Sequence, residues 1–189
     1  MEETKKPKAY AFIDSQNLNL GVQKMGWKMD WRKFLAFLKS EYNVEKAYLF
    51  IGYIPENIAM YEQLHELGYF IVLKRTLEVK NHEHSGGKED KKEPAKPLVK
   101  GNVDAELVLY AMKELPNYDK AIIVSGDGDF HALVEYLDQN DKLLHVMVPN
   151  WQYSTLLKEF EKYIVRIDKM RRQLSYRSFK KHSKPRPTA

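Results

Sequence analysis

Six short, nearly continuous apolar segments constrain the fold of this chain more than any other feature. They alternate with stretches whose apolar residues recur at helical spacing, as in the stripe Trp31, Phe34, Leu35, Leu38 and Tyr42. Strands that are apolar on both faces are typical of sheets covered by helices on both sides, and strand–helix alternation favours parallel strands. The predicted strands are 9–14, 46–53, 69–74, 121–125, 143–148 and 164–167. We therefore expect an α/β fold with a mainly parallel central sheet flanked by helices on both faces.

The helices expected between these strands begin or end at recognisable signals. Asp30 precedes one helix, Pro55 suits the first turn of the next, and Gly68 closes it. Further helices are expected over 102–115, 130–139 and 153–163. Residues 1–168 are long enough to form one domain with a proper core.

Two segments lack the pattern of a packed domain. Residues 76–99 are rich in Lys, Glu, Asp and His and have no apolar face, which predicts a mobile insert. Residues 169–189 carry eight Lys or Arg and no acidic residue, whereas the net charge of the whole chain is only +5. This basic, flexible tail is expected to bind a polyanion, and a solubilising terminus is the alternative.

The composition excludes several classes of site. Cysteine is absent, which rules out disulfides, zinc–thiolate sites and cysteine nucleophiles. The charged N-terminal residues lead directly into a strand without the apolar segment of a secretory signal, and no apolar run approaches transmembrane length. We expect a cytoplasmic protein without a membrane partner.

Four aspartates fall where open α/β sheets bind their ligands, beyond the carboxyl ends of the strands. Asp14 ends the first strand, Asp127 and Asp129 follow strand 121–125 between glycines, and Asp104 opens a helix. Taken singly, each acid is explained by a turn or a helix cap. Taken together, neighbouring carboxylates are unfavourable unless a proton or a cation intervenes. Because Mg²⁺ and Mn²⁺ prefer oxygen ligands, we expect a divalent cation at this edge.

The motifs of several other enzyme classes are missing from the sequence. There is no Walker A loop, no GxGxxG after the first strand and no Gly-x-Ser-x-Gly. A receiver-like domain or phosphatase ranks low, because the first strand carries a single acid and the segment 147–149 offers no lysine. An acidic metal site beside a basic partner surface fits phosphodiester hydrolysis.

Three ordered motifs carry a resemblance to a known family. Segments 12–18 (FIDSQNL), 100–104 (KGNVD) and 125–130 (SGDGDF) resemble the signatures of the NYN domain, a PIN-like nuclease group that includes the LabA-like (DUF88) proteins. The resemblance covers roughly residues 9 to 167, nearly everything except the tail. It implies a Rossmann-like PIN-type fold and Mg²⁺- or Mn²⁺-dependent endoribonuclease activity.

The resemblance also implies roles for individual residues. Catalytic and metal-binding roles fall on the four aspartates Asp14, Asp104, Asp127 and Asp129. Contacts with the RNA substrate fall on Asn17, Ser125 and Lys100. Apart from the resemblance, the charge of the basic tail predicts substrate contacts at Arg171 and Arg172. Single-stranded RNA is the expected partner, and a homo-oligomer is possible.

The sequence departs from the family pattern at two positions. Tyr110 stands where many relatives have a further Asp, and Ala132 stands where many have Pro. An apolar-face position is the natural interpretation of Tyr110. The loss of one acid keeps open a second hypothesis, an RNA-binding or regulatory module with little or no turnover. His131 is expected at the helix surface, and Trp151 and Tyr153 are expected to stack on a base or pack in the loop.

Overall fold

Six parallel strands form one sheet in the computed structural model, which describes residues 6–75 and 103–176. The strand order is β3-β2-β1-β4-β5-β6, and every neighbouring pair is parallel. The strands are β1 (Ala9–Asp14), β2 (Val44–Tyr53), β3 (Phe70–Arg75), β4 (Lys120–Val124), β5 (Leu143–Val148) and β6 (Ile164–Arg166). The predicted parallel α/β sheet is confirmed.

Helices connect these strands. The α-helices are α1 (Ser15–Lys24), α2 (Trp31–Tyr42), α3 (Ile58–Glu66), α4 (Asp104–Lys113), α5 (His131–Gln139) and α6 (Arg171–Leu174). Short 3-10 helices span Pro55–Asn57, Leu115–Asn117, Gly128–Phe130, Thr155–Tyr163 and Ile167–Met170. Within the described ranges, no helix has the length and apolar character needed to cross a bilayer.

Two helices differ from the sequence-based expectations. The first, α1, was not predicted, because its interior contains Gly21, a weak helix former, and only Leu18 and Val22 reach the core. The predicted helix 153–163 is a 3-10 helix, Thr155–Tyr163. Its backbone leaves helical geometry at Phe160, which together with Leu157 is the buried part of the segment.

The core consists of two layers, one on each face of the sheet. Successive strand residues point to opposite faces, so Ala11 and Ile13 of β1 join one layer while Tyr10 and Phe12 join the other. Helices α1, α2, α3 and α6 cover the first layer, and α4 and α5 cover the second. The expectation of helices on both faces is therefore confirmed.

Contacts with the body continue beyond the expected start of the tail at Lys169. Leu174 is fully buried, and its carbonyl accepts a hydrogen bond from the Asp30 N–H at 2.9 Å. Ser175 bridges Met29, and the Tyr176 N–H donates to the Lys28 carbonyl at 2.9 Å. Met170 and Leu174, the apolar side chains that pack against the core here, were too sparse among basic and polar neighbours to predict this packing. The expected insert 76–99 and residues 177–189 lie outside the described residues.

The strand order places a crevice between β1 and β4. From this pair the chain continues to β2 on one side and to β5 on the other, and ligands of doubly wound sheets bind at such a reversal, beyond the carboxyl ends of the strands. Ile13 is in register with Val124, so Asp14 and Ser125 emerge side by side at this point.

Candidate active site

Asp14 is the buried centre of the candidate site. It ends β1 and caps α1, where its Oδ1 accepts the Asn17 N–H at 3.0 Å. Its side chain accepts a second hydrogen bond at Oδ2 from the Ser125 hydroxyl at 3.4 Å. Only 6% of Asp14 is exposed, and burial this complete is rare for a carboxylate. The hydrogen bonds fix the orientation of both its oxygens.

The electrostatics of Asp14 show which other acids lie close to it. Burial raises the pKa of Asp14 above its ordinary value, because a desolvated carboxylate is disfavoured. The carboxylates of Asp104 and Asp127 raise this pKa further, while the hydrogen bonds from Asn17 and Ser125 partly offset both effects. Of the four predicted acids, Asp104 and Asp127 therefore lie within electrostatic range of Asp14.

The fourth acid, Asp129, occupies a different position. Asp127 caps the 3-10 helix Gly128–Phe130 by accepting the Asp129 N–H at 3.1 Å. Asp129 is exposed, and it contacts Asp127 through its backbone. The expectation that one acid of this pair caps the following helix is met by Asp127.

Ser125 and Asn17 connect β1 with the loop after β4. The hydroxyl of Ser125, which is 1% exposed, donates to Asp14 and accepts the Asp127 N–H at 3.2 Å. The Asn17 side-chain oxygen accepts the Gly126 N–H at 2.9 Å. Both side chains lie beside Asp14, and their hydrogen bonds hold the loop that carries Asp127 against it.

The glycines of this loop allow a close approach of the chain after β5. A Cβ at Gly128 would lie 2.4 Å from the Ser154 Oγ, and a Cβ at Gly126 would lie 3.1 Å from the Tyr153 Cβ. Neither glycine has a positive φ, so a left-handed turn does not explain why glycine stands at these positions. The close packing explains it, because it leaves no room for a Cβ. The loop after β5 therefore packs directly against the loop that carries Asp127.

Asp104 is the predicted acid that follows the segment 76–102 in the sequence. It is the first residue of α4, and Glu106 follows in the same turn. The Glu106 carboxylate accepts a hydrogen bond from the Lys74 ammonium at 2.9 Å, which ties the end of β3 to the start of α4. This ion pair holds the N-terminus of α4, and with it Asp104, at the carboxyl edge of the sheet.

The donor chemistry decides which metal fits. Within residues 6–75 and 103–176, no three His, Cys, Asp or Glu side chains are arranged as a group that could hold a metal ion. The site therefore is not a closed cage. Mg²⁺ rarely uses one, because it keeps several waters and binds through one or two carboxylates plus substrate phosphates. The site offers carboxylate oxygens, the donor type that Mg²⁺ and Mn²⁺ prefer, but among the described residues they are not gathered into a ready three-ligand set.

Two clefts of about 250 Å³ each open on either side of the Asp14–Asn17 turn. The first, here named the α1–α3 cleft, lies between the start of α1, the end of β2 and α3. It is lined by Ser15, Gln16, Asn19, Trp31, Leu49, Ile51, Gly52, Ile54, Asn57, Met60, Tyr61 and Leu64. The second lies between α1 and the loops after β4 and β5, and it is lined by Asn17, Leu20, Gly21, Lys24, Gly126, Pro149 and Gln152.

The remaining predicted substrate-binding residues lie elsewhere. Lys100 is outside the described residues. Arg171 donates to the Gly26 carbonyl at 3.2 Å, just past the C-terminal end of α1, and Arg172 is its neighbour in α6. Since ten residues of helix span about 15 Å, Arg171 lies roughly that far along α1 from Asp14.

Tyr110 and His131 occupy the structural positions expected of them. Tyr110 packs on the apolar side of α4, with its ring centroid 5.7 Å from those of Tyr48 and Phe50. His131 begins α5 and pairs with Glu159 on the neighbouring 3-10 helix. Neither side chain adds an acid or base to the site.

Sequence reasoning missed the polar residues of α1 and of the loop after β5. Gln16 and Asn19 line one cleft, and Lys24 and Gln152 line the other. Gln16, Asn19 and Lys24 were missed because α1 was not predicted, and Gln152 because it lies in a loop without a motif. The available signal was the i, i+3 spacing of Gln16 and Asn19, which places both on one helix face directly after Asp14.

The chain is similar to known proteins over most of its length. Residues 8–168 match the family model of the NYN domain. The chain is 29% identical over 141 residues to Low amplitude and bright protein LabA of Synechococcus elongatus, covering 72% of this chain and 70% of LabA. A crystal structure of a protein of unknown function from Vibrio parahaemolyticus matches with a TM-score of 0.63 and 24% identity, covering 89% of this chain and 97% of the other. That structural likeness supports the fold alone.

Proposed function

The chain belongs to the NYN domain family, a group of PIN-like nucleases, and on that premise we propose that it is a Mg²⁺- or Mn²⁺-dependent endoribonuclease. Family membership supports an RNase-type function. The proposal adds the metal, the residues that hold it and RNA as the substrate.

One observation carries the proposal. Asp14, Asp104 and Asp127 come from three separate segments, yet they interact at the β1/β4 reversal, where α/β sheets bind ligands. Among the described residues, no Lys or Arg offsets the acids that raise the pKa of Asp14. A cluster of like charges around a buried carboxylate costs stability unless something positive binds there. A divalent cation satisfies that requirement and suits phosphodiester chemistry.

The residues of the site divide the work. Asp14, Asp104 and Asp127 would hold the cation, which when bound activates water and neutralises charge on the scissile phosphate. Ser125 orients Asp14 through its hydroxyl, and Asn17 keeps the loop after β4 in place. Asp129, exposed beside Asp127, is proposed to complete the water-activating set.

Further contacts with RNA are proposed outside the acidic cluster. Arg171, Arg172 and the basic residues that follow them would bind the phosphate backbone, as would Lys100. Trp151 and Tyr176 are 59% and 62% exposed, and both offer a ring on which an unpaired base can stack. These exposed rings favour single-stranded RNA as the substrate.

Cleavage of a mixed pool of single-stranded RNAs by the purified full chain tests the proposal. We expect cleavage with Mn²⁺ or Mg²⁺, none in EDTA, and a loss of several orders of magnitude in Asp14→Asn. Asp141→Asn is the matched control. Asp141 lies just before the amino end of β5, whereas the acidic site lies beyond the carboxyl ends of the strands. Asn also tolerates the positive φ of 54° at this position.

The controls separate this proposal from a contaminating nuclease. Asp141→Asn should cleave at the wild-type rate. Cleavage that persists in EDTA, or equal rates in Asp14→Asn and wild type, would contradict a metal-dependent site at Asp14.

A second function is favoured by a specific observation. The acid that many relatives carry is replaced by Tyr110, whose ring is committed to packing, and the described residues hold no group of three ready metal ligands. An RNA-binding module with little turnover would fit these facts. RNA binding that is retained with no cleavage under any metal would select this second function.

A further inference from the structure

The α1–α3 cleft begins one residue away from the buried acid. Ser15, which lines it, directly follows Asp14, so the two Cα atoms are about 3.8 Å apart. Asp14 is in register with Phe50, which places Ile51 and Gly52 of the cleft just beyond the level of the acid. A group bound in this cleft would therefore adjoin whatever is bound at Asp14.

The chemistry of the cleft is neutral. Within residues 6–75 and 103–176, none of its lining residues is Asp, Glu, Lys, Arg or His. Amide side chains of Gln16, Asn19 and Asn57 supply hydrogen-bond donors and acceptors, and the other walls are mainly apolar or aromatic. A cleft without cations does not suit a phosphate. It suits a flat, uncharged group with polar edges.

The walls of the cleft are held in place by internal hydrogen bonds. The Tyr61 hydroxyl, in the first turn of α3, accepts the Ile54 N–H at 3.0 Å, and its single hydrogen can be donated to the Gly52 carbonyl of β2 at 3.4 Å or to the Ile54 carbonyl at 3.3 Å. On the opposite wall, Trp31 contacts the Tyr69 ring edge-on at 6.0 Å, and its carbonyl accepts the Tyr69 hydroxyl at 2.8 Å. These bonds preorganise the cleft, which lowers the entropy cost of binding a ligand there.

We propose that the α1–α3 cleft binds one nucleobase of the RNA whose phosphate lies at Asp14, and that it thereby sets a base preference next to the cleaved bond. Single-stranded RNA is read by base stacking on aromatic or apolar walls together with hydrogen bonds to the base edges. The cleft combines both features and adjoins the acidic site. This inference rests on the proposed ribonuclease function.

Sequencing the cleavage products of a randomised single-stranded RNA tests the inference. Wild type should show a base preference at one fixed position relative to the cut. Gln16→Ala and Asn57→Ala should each reduce that preference about five- to tenfold, the loss expected for one hydrogen bond. Gln139→Ala, an exposed glutamine at the end of α5, is the matched control and should retain the wild-type preference.

The outcomes distinguish failure of the inference from failure of the proposed function. Absence of metal-dependent cleavage would overturn the ribonuclease itself. Cleavage without a base preference, or with a preference that both cleft variants retain, would overturn the cleft assignment while the ribonuclease stands.

A binding measurement gives a readout that does not depend on turnover. In EDTA, the fluorescence of Trp31 should be quenched on titration with ribonucleoside monophosphates, and one base should bind more tightly than the others. Comparison with Trp31→Phe assigns the signal, because Trp27 and Trp151 lie outside the cleft. Equal quenching in Trp31→Phe, or no quenching by any of the four, would overturn a base-binding cleft.

Discussion

A single added methyl group at Gly128 should misplace Asp127. The Cβ of Gly128→Ala would lie 2.4 Å from the Ser154 Oγ and 3.1 Å from the Leu156 Cδ1, whereas ordinary contact begins at 3.4 Å. Rotation of the Ser154 hydroxyl would break its hydrogen bond with the Leu156 N–H and still leave the Ser154 Cβ at 3.1 Å, so the two chain segments must also separate, by up to about 1 Å if the hydroxyl stays in place. The backbone at Gly128 has no positive φ, so contact alone produces the effect.

The separation affects both activity and stability. Gly128 directly follows Asp127, and the Ser154 N–H donates a hydrogen bond to the Gly126 carbonyl at 2.9 Å. A displacement of Gly128 away from Ser154 therefore also displaces Asp127. A misplacement of about 1 Å can cost roughly 100-fold in rate. Overpacking of this kind costs about 1–3 kcal/mol of unfolding free energy, which for a domain of this size lowers Tm by about 2–12 °C.

Measurement of the RNA cleavage rate and of Tm checks this prediction, and a second substitution sharpens it. Ser154→Gly removes the clashing Oγ and Cβ, and Gly caps a helix only a few tenths of a kcal/mol less well than Ser. The double variant Gly128→Ala/Ser154→Gly should recover most of the rate and Tm. Wild-type rate and Tm in Gly128→Ala alone would refute the close approach on which the reasoning depends.

Three further predictions concern charge, packing and the tail. The pKa of Asp14 is raised in the folded protein, so the folded state is most stable with respect to this group below the pKa of the unfolded chain. That stability is lost as the pH rises through the folded-state pKa. In EDTA, denaturant melts should therefore show Asp14→Asn gaining stability over wild type between pH 4 and 7, and parallel pH profiles would contradict this. Leu174→Ala should lower the free energy of unfolding by about 2–5 kcal/mol. Leu156→Ala, at a 57% exposed position, should lower it far less in the same melts. Equal losses in the two variants would place α6 outside the core. Residues 177–189 carry five Lys or Arg, and their removal should make the plot of log RNA affinity against log salt concentration less steep. The slope should fall by about 0.7 for each phosphate that these residues neutralise, and an unchanged slope would exclude them from binding.

The sheet could be predicted from the sequence because its signal is local. Each strand is an apolar run that stands apart from its neighbours, and the boundaries differ from the structure by a residue or two at most. The acids at strand ends were predictable for the same reason, since parallel strands deliver their carboxyl ends to one edge. Asp14 and Asp127 follow directly from that rule.

The parts that escaped prediction depend on contacts distant in sequence. Gly21 weakens α1 as a local pattern, yet a Cβ there would come 2.3 Å from the Pro149 Cβ, so the residue serves a close approach 128 positions away. Leu174 is one apolar side chain in a basic stretch, and only its packing against α2 reveals its role. The α1–α3 cleft likewise exists only once α1, β2 and α3 are assembled.

Calorimetric titration of Mn²⁺ into the full chain tests the central claim most directly, because it needs no RNA substrate. If Asp14, Asp104 and Asp127 form a divalent cation site, wild type and the control Asp141→Asn should bind Mn²⁺ with the same affinity. Asp14→Asn should bind at least about tenfold more weakly, a change of roughly 1.4 kcal/mol. Equal Mn²⁺ affinity in Asp14→Asn and wild type would contradict the account.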